Sequence, residues 1–176
     1  MLTNTKDSFG SIAKFFHWTI AILIITNIVC GFLMKGLTVL NYHKLVGLSV
    51  LFLAIFRLFF FIISVKPKLP DTLPLIEKIA AYSVKYLLFI FMFSLPITGW
   101  IMATAYGVPP TIAGHTFPFP FFHFSSQNAT FAQFIHNTLA FIIIAIVLMH
   151  VGGALKHHFI YKDNILKRML PFTKNK

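Results

Sequence analysis

The sequence predicts an all-α membrane protein in which four transmembrane helices form one bundle. Hydrophobic residues account for 57% of the 176 residues, and the mean hydropathy of +0.81 is that of a membrane protein rather than a soluble domain. Four apolar runs cover residues 15–34, 42–65, 82–102 and 131–155, and each reaches the roughly 20 residues that a spanning helix needs. Because backbone groups in lipid must be hydrogen-bonded internally, these runs are expected to be helices. Residues 1–176 are expected to form a single domain.

The first apolar run, residues 15–34, is expected to be a retained helix and not a secretory signal. It is longer than the apolar region of a signal peptide, and no small-residue cleavage site follows in Gly31-Phe32-Leu33-Met34-Lys35. It also carries His17. The single cysteine, Cys30, permits no intramolecular disulfide.

Basic residues are distributed unevenly between the two sides of the predicted bundle. The chain has 15 Lys and Arg against 4 Asp and Glu, a net charge of +11. One side carries most of them, namely Lys6, Lys14, Lys66, Lys68, Lys78, Lys85, Lys156, Lys162, Lys167, Arg168, Lys174 and Lys176. The other side carries Lys35 and Lys44, and Arg57 lies inside the second run. The positive-inside rule therefore places both termini in the cytoplasm, and anionic membrane lipid, not nucleic acid, is the expected partner of the basic surface.

The segments between the apolar runs differ in character. Residues 35–40 predict a tight external turn, residues 66–71 a proline-containing break, and residues 72–81 an interfacial helical start to the third span. The external segment 103–130 has no Lys, Arg, Asp or Glu and contains the run Phe117-Pro118-Phe119-Pro120-Phe121-Phe122. We expect this segment to fold back onto the membrane interface or to cap the bundle mouth. The alternative is a disordered loop.

Four histidines lie near the ends of the apolar runs, at two matching depths. His136 and His150 are fourteen residues apart on the fourth run, which in a helix is about 21 Å along one face. His17 lies at the cytoplasmic end of the first run, and His43 opens the second run from outside. Depth therefore pairs His17 with His150, and His43 with His136, because any other pair would have to reach across most of the bilayer.

Two histidine pairs near opposite margins of a membrane are what two stacked, bis-histidine haems require. Neutral imidazole nitrogens suit haem iron, and ligation on both faces favours electron transfer over oxygen binding. Zinc is the rival metal, but it prefers tetrahedral sites with acidic or thiolate ligands, and no Asp or Glu lies within a predicted span. Any one of these histidines, taken alone, could instead be an interfacial residue whose ring hydrogen-bonds to water or to a lipid headgroup. The quartet predicts a bundle that encloses two haems.

Arg57 and several glycines extend this prediction. Arg57 lies fourteen residues after His43, at the depth of the inner haem, where a haem propionate would give the buried cation a partner. The alternative is an arginine that extends to the interface. Gly47 and the pair Gly152-Gly153 either let a porphyrin approach the backbone or serve ordinary helix contacts.

The remaining histidines lie at the membrane surfaces. His157 follows His150 by seven residues and shares its face, so it either bonds a quinone carbonyl near the inner haem or faces water. His115 and His123 lie in the external segment without a partner at ligand spacing. We expect no functional role for those two.

The chain resembles the bacterial cytochrome b561 family of small four-helix dihaem membrane proteins. Matching motifs in the helices are His17-Trp18, His43-x3-Gly47, Arg57-Leu58, Tyr86-Leu87-Leu88-Phe89, Pro96-x2-Gly99, His136 and His150. The most specific match is the tail, His157-His158-Phe159-x-Tyr161-Lys162-Asp163-Asn164-x3-Arg168-Met169-Leu170-Pro171. The resemblance covers the whole chain.

The resemblance implies two haem b groups on the histidine pairs, and electron exchange with ubiquinone in the bacterial inner membrane. One branch of the family oxidises superoxide on the periplasmic side, and the length and tail of this chain resemble that branch. Carried over, Arg57 would hold a propionate and His157 would line the quinone site, with no residue acting as a catalytic acid, base or nucleophile. This chain differs from that branch in its external segment, which has no charged residue. Lys35 and Lys44 are then the cations that remain on this side to attract an anion.

The expected activity is therefore that of an oxidoreductase that passes electrons from superoxide to ubiquinone. Two other functions remain open. A non-enzymatic electron-transfer subunit or carrier would serve a partner dehydrogenase or a soluble cytochrome. A metal-ion transporter would use the same histidines without haem.

Overall fold

Four long helices make up most of the computed structural model, which describes residues 1–70, 73–120 and 126–171. The elements in chain order are α1 (Ser11–Phe32), α2 (Leu37–Ile63), α3 (Leu75–Ala105), β1 (Thr111–Ile112), β2 (His115–Thr116), α4 (Ser126–Phe159) and α5 (Ile165–Met169). Within the described residues, the four longest helices are each long and apolar enough to cross a membrane. The predicted all-α bundle of four membrane helices is confirmed.

The helices are longer than the apolar runs that predicted them. α3 begins at Leu75, so the predicted interfacial start is continuous with the third helix. α4 has 34 residues, or about 51 Å at 1.5 Å per residue, whereas the hydrocarbon core of a bilayer is about 30 Å thick. Lys14, expected ahead of the first helix, lies in the first turn of α1 and is only 5% exposed. Because α4 is longer than the hydrocarbon core is thick, its ends are expected to project into the headgroup region.

The bundle has two distinct ends. We call one the termini end, which carries residues 1–10, the link between α2 and α3, and α5; the other, the hairpin end, carries the turn at 33–36 and the β-hairpin. The helices pack in chain order, α1 on α2, α2 on α3 and α3 on α4, whereas α1 and α4 pack together much less. The side of the bundle between α1 and α4 is therefore the more open one.

An apolar core fills the middle of the bundle, between these two ends. Buried residues of α1, α2 and α3 form one cluster, and buried residues of α3 and α4 form a second. The members of the first are Ile20, Val50, Ala54 and Met92, and those of the second are Phe91, Ile143 and Ile146. Inside a membrane, close packing of this kind rather than transfer from water holds the helices together.

The external segment folds over the hairpin end of the bundle. Its two strands are joined by Ala113 and Gly114, whose positive φ angles of 49° and 82° are those of a two-residue hairpin turn. Asn41 of α2 holds the first strand, because its Nδ2 donates to Thr111 O at 3.0 Å and its Oδ1 accepts from Thr111 N at 3.2 Å. The described part of the segment thus caps the bundle mouth, as the sequence predicted, although the strands themselves were not predicted. Residues 121–125, with His123, lie outside the described residues.

The residues after α4 fold beneath α1 at the termini end. Trp18 Nε1 donates a hydrogen bond to Met169 O at 2.8 Å. Arg168 Nη1 donates to Lys68 O, in the link between α2 and α3, at 2.9 Å. The tail that carried the most specific family resemblance therefore closes this end of the bundle next to His17.

Candidate functional site

The structure brings together the two histidine pairs that depth matching predicted. The ring centroids of His17 on α1 and His150 on α4 are 6.0 Å apart, with an angle of 57° between the ring planes. The centroids of His43 on α2 and His136 on α4 are 6.2 Å apart, with the planes at 87°. We call these the inner pair and the outer pair. The inner pair lies toward the termini end and the outer pair toward the hairpin end.

The separation within each pair fits two imidazoles bound to opposite faces of one metal ion. An imidazole nitrogen lies about 2.0 Å from a bound transition metal, and the ring centre is about 1.2 Å behind that nitrogen. Two rings on opposite sides of one metal therefore have centroids roughly 6.4 Å apart, close to both observed values. Ordinary aromatic contacts also have centroids about 4.5–7 Å apart, so the distance supports a metal only together with the recurrence of a histidine pair at two depths of the bundle.

Each ring of the outer pair forms a hydrogen bond with a backbone carbonyl through its Nδ1, as metal-binding histidines usually do. His43 Nδ1 lies 3.1 Å from Asn27 O, and His136 Nδ1 lies 3.2 Å from Leu95 O. Because a carbonyl can only accept, each Nδ1 carries the ring proton. This tautomer leaves both Nε2 lone pairs for a metal, and donation to a carbonyl makes the ring a stronger ligand.

Two glycines leave space for the imidazole rings of the outer pair. A Cβ at Gly99 would lie 2.9 Å from His136 Cε1, closer than side chains tolerate, so the ring occupies the space that only glycine leaves. A Cβ at Gly31 would be 3.5 Å from His43 Cε1. Gly99 belongs to the Pro96-x2-Gly99 motif, but no role was predicted for either glycine, because the need for glycine depends on which ring packs against which helix. By contrast, Gly152 and Gly153, expected either to admit a porphyrin or to serve helix contacts, have no neighbour within 4 Å of an added Cβ among the described residues.

Arg57 lies at the inner pair, as its spacing from His43 predicted. Its Nη2 is 3.2 Å from His17 Nδ1, and its guanidinium carbon is 5.5 Å from the centre of the Phe89 ring. The alternative of an arginine that extends to the interface is therefore not observed. A metal on His17 Nε2 would place the ring proton on Nδ1 and free the guanidinium for an anion.

No carboxylate of the described chain forms an ion pair with Arg57. A buried cation without an anion is costly in a membrane. A haem propionate would remove that cost, and the arginine fork matches a carboxylate. The inner pair, with Arg57 beside it, therefore fits haem, and so does the outer pair.

His157, predicted to line a quinone site, forms an ion-pair contact with the tail. Its Nδ1 is 2.6 Å from Asp163 Oδ2, and its side chain is 13% exposed. Asp163 Oδ1 also accepts a hydrogen bond from Ile165 N at 2.9 Å, at the start of α5. His157 therefore orders the tail, and its quinone role stays a prediction. The neighbouring His158 has a buried Nδ1 without a hydrogen-bond partner within the part of the chain described.

A cavity of about 250 Å³ opens beside the inner pair, on the outward face of α1. Its lining residues come from the first three turns of α1 and from the tail: Ser11, Lys14, Phe15, Trp18, Thr19, Ile22 and Pro171. Trp18 adjoins the inner-pair residue His17, and their rings meet edge to face at 5.5 Å. Trp18 is therefore the lining residue that also contacts the inner pair.

The arrangement does not favour zinc. Across residues 1–70, 73–120 and 126–171, no group of three or more His, Cys, Asp or Glu side chains is placed to hold a metal ion. A tetrahedral site would need such a group, whereas an axially ligated haem needs two imidazoles. His115, at the exposed end of the hairpin, joins neither pair. The two histidine pairs therefore fit haem better than zinc.

Comparison with known proteins agrees with this geometry. A family described as prokaryotic cytochrome b561 matches residues 8–172. The chain is 32% identical over 177 residues to cytochrome b561 homolog 2 of Escherichia coli (strain K12), covering 96% of this chain and 94% of that protein. It is 34% identical over 95 residues to cytochrome b561 homolog 1 of the same organism, covering 54% and 53%.

Removing one imidazole is expected to cost one haem and leave the other. His43→Ala and His17→Ala should each bind about half the wild-type haem per protein, because the pairs lie about 21 Å apart along α4 and share no ligand. A pyridine haemochrome assay against protein concentration measures this ratio. His115→Ala is the matched control and should retain wild-type haem. Unchanged haem in both ligand variants would contradict the assignment.

Gly99→Ala is expected to displace the His136 ring and perturb the outer pair alone. The added methyl would lie 2.9 Å from His136 Cε1, so the ring must tilt or move. We expect a shift in the low-spin electron paramagnetic resonance signal of one haem and not of the other. Gly152→Ala, whose Cβ would meet no described residue within 4 Å, provides the control. Equal spectra for the two variants would show that Gly99 does not position the ring.

Proposed function

Since the chain belongs to the prokaryotic cytochrome b561 family, we propose that it holds two haem b groups, one at each histidine pair, and transfers electrons through the bacterial inner membrane to ubiquinone. Electron transfer in a membrane with b-type haem follows from membership of the family. The observation that carries the rest is the ring separation within the two pairs, which fits axial ligation at two depths of one bundle.

The proposal places the termini end in the cytoplasm and the hairpin end in the periplasm. Most basic residues lie at or beyond the termini end, while Lys35 and Lys44 lie at the hairpin end. Positively charged segments are retained on the cytoplasmic side of a membrane. Electrons would therefore enter at the outer pair and leave at the inner pair.

When bound, haem b supplies a one-electron couple at each histidine pair. The protein fixes the two couples on one rigid element, because His136 and His150 both lie on α4. Between the pairs, the buried side chains of Ile20, Ala54 and Ile143 exclude water from the middle of the bundle. Such a layer lets electrons pass and blocks ions, which would pay a large cost to enter it.

The direction of transfer is supported by different surroundings of the two pairs. The outer-pair rings donate to backbone carbonyls, which would make them stronger ligands and favour the oxidised form of a haem held there. The inner pair has the buried guanidinium of Arg57 beside it, which stabilises the reduced form by its positive charge. Lys44, near the outer pair, is partly exposed, so water screens its charge. A haem at the inner pair would therefore have the higher midpoint potential, which favours electron transfer from the outer pair to the inner pair.

Superoxide is the proposed donor at the outer pair. Lys44 Nζ donates to Val108 O and Pro109 O at 2.9 and 3.3 Å, which holds a positive charge where the hairpin meets α2. With no charged residue in segment 103–130, Lys44 and Lys35 are the cations that would draw in an anion on this side. Two superoxide ions each lose one electron and become O2. Ubiquinone takes up these two electrons with two protons and becomes ubiquinol.

Ubiquinone is proposed to bind in the cavity beside Trp18. Lys14 and Ser11 provide polar groups there, and the other lining side chains are apolar or aromatic, as is usual for a small-molecule site. The volume of about 250 Å³ suits the ring of a quinone, while its long tail would lie in the lipid along α1. His157 is the second residue to test, because the sequence placed it on the face of His150.

A non-enzymatic carrier is the second candidate function. The observation that favours it is the apolar surface of the hairpin end, where Ile112 and Phe117 are 50% and 45% exposed. A soluble electron donor with an apolar contact patch would bury these side chains. In that case the electron path is the same, and only the donor differs.

Ubiquinone reduction by the holoprotein in liposomes tests the proposed activity. With an enzymatic source of superoxide, we expect quinone reduction that superoxide dismutase suppresses. Lys44→Gln should lower the rate with superoxide severalfold and weaken its dependence on ionic strength, because a guiding charge is lost; Lys6→Gln at the other end is the control. A rate unaffected by the dismutase would overturn the superoxide donor. Haem oxidation by added ubiquinone would still report on the acceptor.

Arg57→Gln is expected to lower the midpoint potential of one haem and leave the other nearly unchanged. A tenfold change in a one-electron equilibrium corresponds to about 59 mV, and we expect a fall of at least that size because the lost charge is buried. Arg57→Lys should recover much of it. Potentiometric titration of the purified proteins, followed by absorbance, measures both couples. Equal shifts in both couples, or none, would contradict the role of Arg57.

A further inference from the structure

Two lysines converge on one aromatic ring at the termini end, on the side formed by α2 and α3. Lys66 Nζ lies 4.9 Å from the centre of the Phe61 ring, and Lys85 Nζ lies 5.4 Å from the same centre. Lys85 Nζ is also 4.7 Å from the centre of the Tyr82 ring and 4.6 Å from that of Tyr86. Lys85 Nζ thus lies among three aromatic rings, and Lys66 Nζ lies near one of them, at the margin of the bundle.

This cluster has two ammonium groups and two phenol hydroxyls, and no anion among the described residues is paired with it. Within the described residues, Glu77 is bound by Lys156 and Tyr161, and Asp163 by His157. Neither Lys66 nor Lys85 forms an ion pair there, and the hydroxyls of the two tyrosines make no hydrogen bond with described residues. Like charges held together near lipid repel each other more strongly than in water. An anion at this spot would remove that repulsion.

The cluster lies at the level of lipid headgroups. Lys85 is one helical turn closer to the termini end than Phe89, the ring that contacts Arg57 at the inner pair. Lys66 follows the end of α2 by three residues. Ile90, one turn from Tyr86 toward the middle of the membrane, is 58% exposed, and Ile62, next to Phe61, is 67% exposed. Tyrosines beside lysines above an apolar surface are typical of a membrane interface.

We propose that Lys66 and Lys85, with the hydroxyls of Tyr82 and Tyr86, bind the phosphate of an anionic phospholipid whose acyl chains lie along α2 and α3. Ammonium and phenol donors form charge-assisted hydrogen bonds with phosphate oxygens. The same donors would accept a free phosphate ion. The exposed apolar side chains below the cluster favour the lipid, because they would contact its chains. Lipid binding at this cluster would be independent of which molecules donate and accept electrons.

The test is retention of anionic phospholipid by the holoprotein. Protein reconstituted with phosphatidylglycerol and phosphatidylcholine would be released from nanodiscs, and native mass spectrometry would count the lipids that remain bound. Each lysine near a charged membrane surface contributes roughly a fivefold gain in binding. We therefore expect Lys66→Gln and Lys85→Gln each to lower phosphatidylglycerol retention about fivefold, and Lys85→Arg to preserve most of it.

Lys6→Gln and Lys162→Gln are the matched controls, because both side chains are exposed at the termini end and lie outside the cluster. An equal loss in the controls would overturn the proposal, since the lipid would then respond only to overall surface charge. Unchanged retention in both cluster variants would also overturn it. Displacement of the lipid by inorganic phosphate at similar concentration would identify a site for a soluble anion instead. The haem absorbance spectrum confirms that each variant is folded.

Discussion

The separation of the imidazole rings within each histidine pair is the constraint on which the rest of the structure depends. Rings about 6 Å apart at their centres, on different helices, require those helices to be held in register along much of their length. Gly99 accommodates one ring, and the carbonyls of Asn27 and Leu95 set the tautomers of the outer pair. The reduced packing between α1 and α4 leaves the side that the inner pair spans more open. Each of these features fits the proposed ligation of a flat cofactor.

The two ends of the bundle share this ligand geometry but differ in charge and covering. At the hairpin end, backbone carbonyls surround the pair and a charge-free hairpin, held by Asn41, covers the mouth. At the termini end, Arg57 lies beside the pair and a basic tail folds beneath it. The same scaffold thus gives two similar sites different electrostatic surroundings. That difference, rather than the ligands themselves, would give electron transfer a preferred direction.

The depth of each histidine could be predicted from the sequence, and with it the pairing that the structure brings together. A spacing of fourteen residues and an uneven distribution of lysines are local properties, so they can be counted along the chain. The requirement for Gly99 could not be predicted, since it arises where α4 meets α3. The contact of His157 with Asp163 likewise depends on how the tail folds. The hairpin was missed because segment 103–120 has no alternating pattern of apolar residues.

The most direct test of the account is the number and spacing of iron atoms in the purified protein. Anomalous scattering measured at the iron absorption edge, from crystals of the holoprotein, locates each iron without reference to the ligands. The account predicts two irons per chain, one between His17 and His150 and one between His43 and His136, about 21 Å apart along α4. A single iron, or two irons at the same depth, would contradict it.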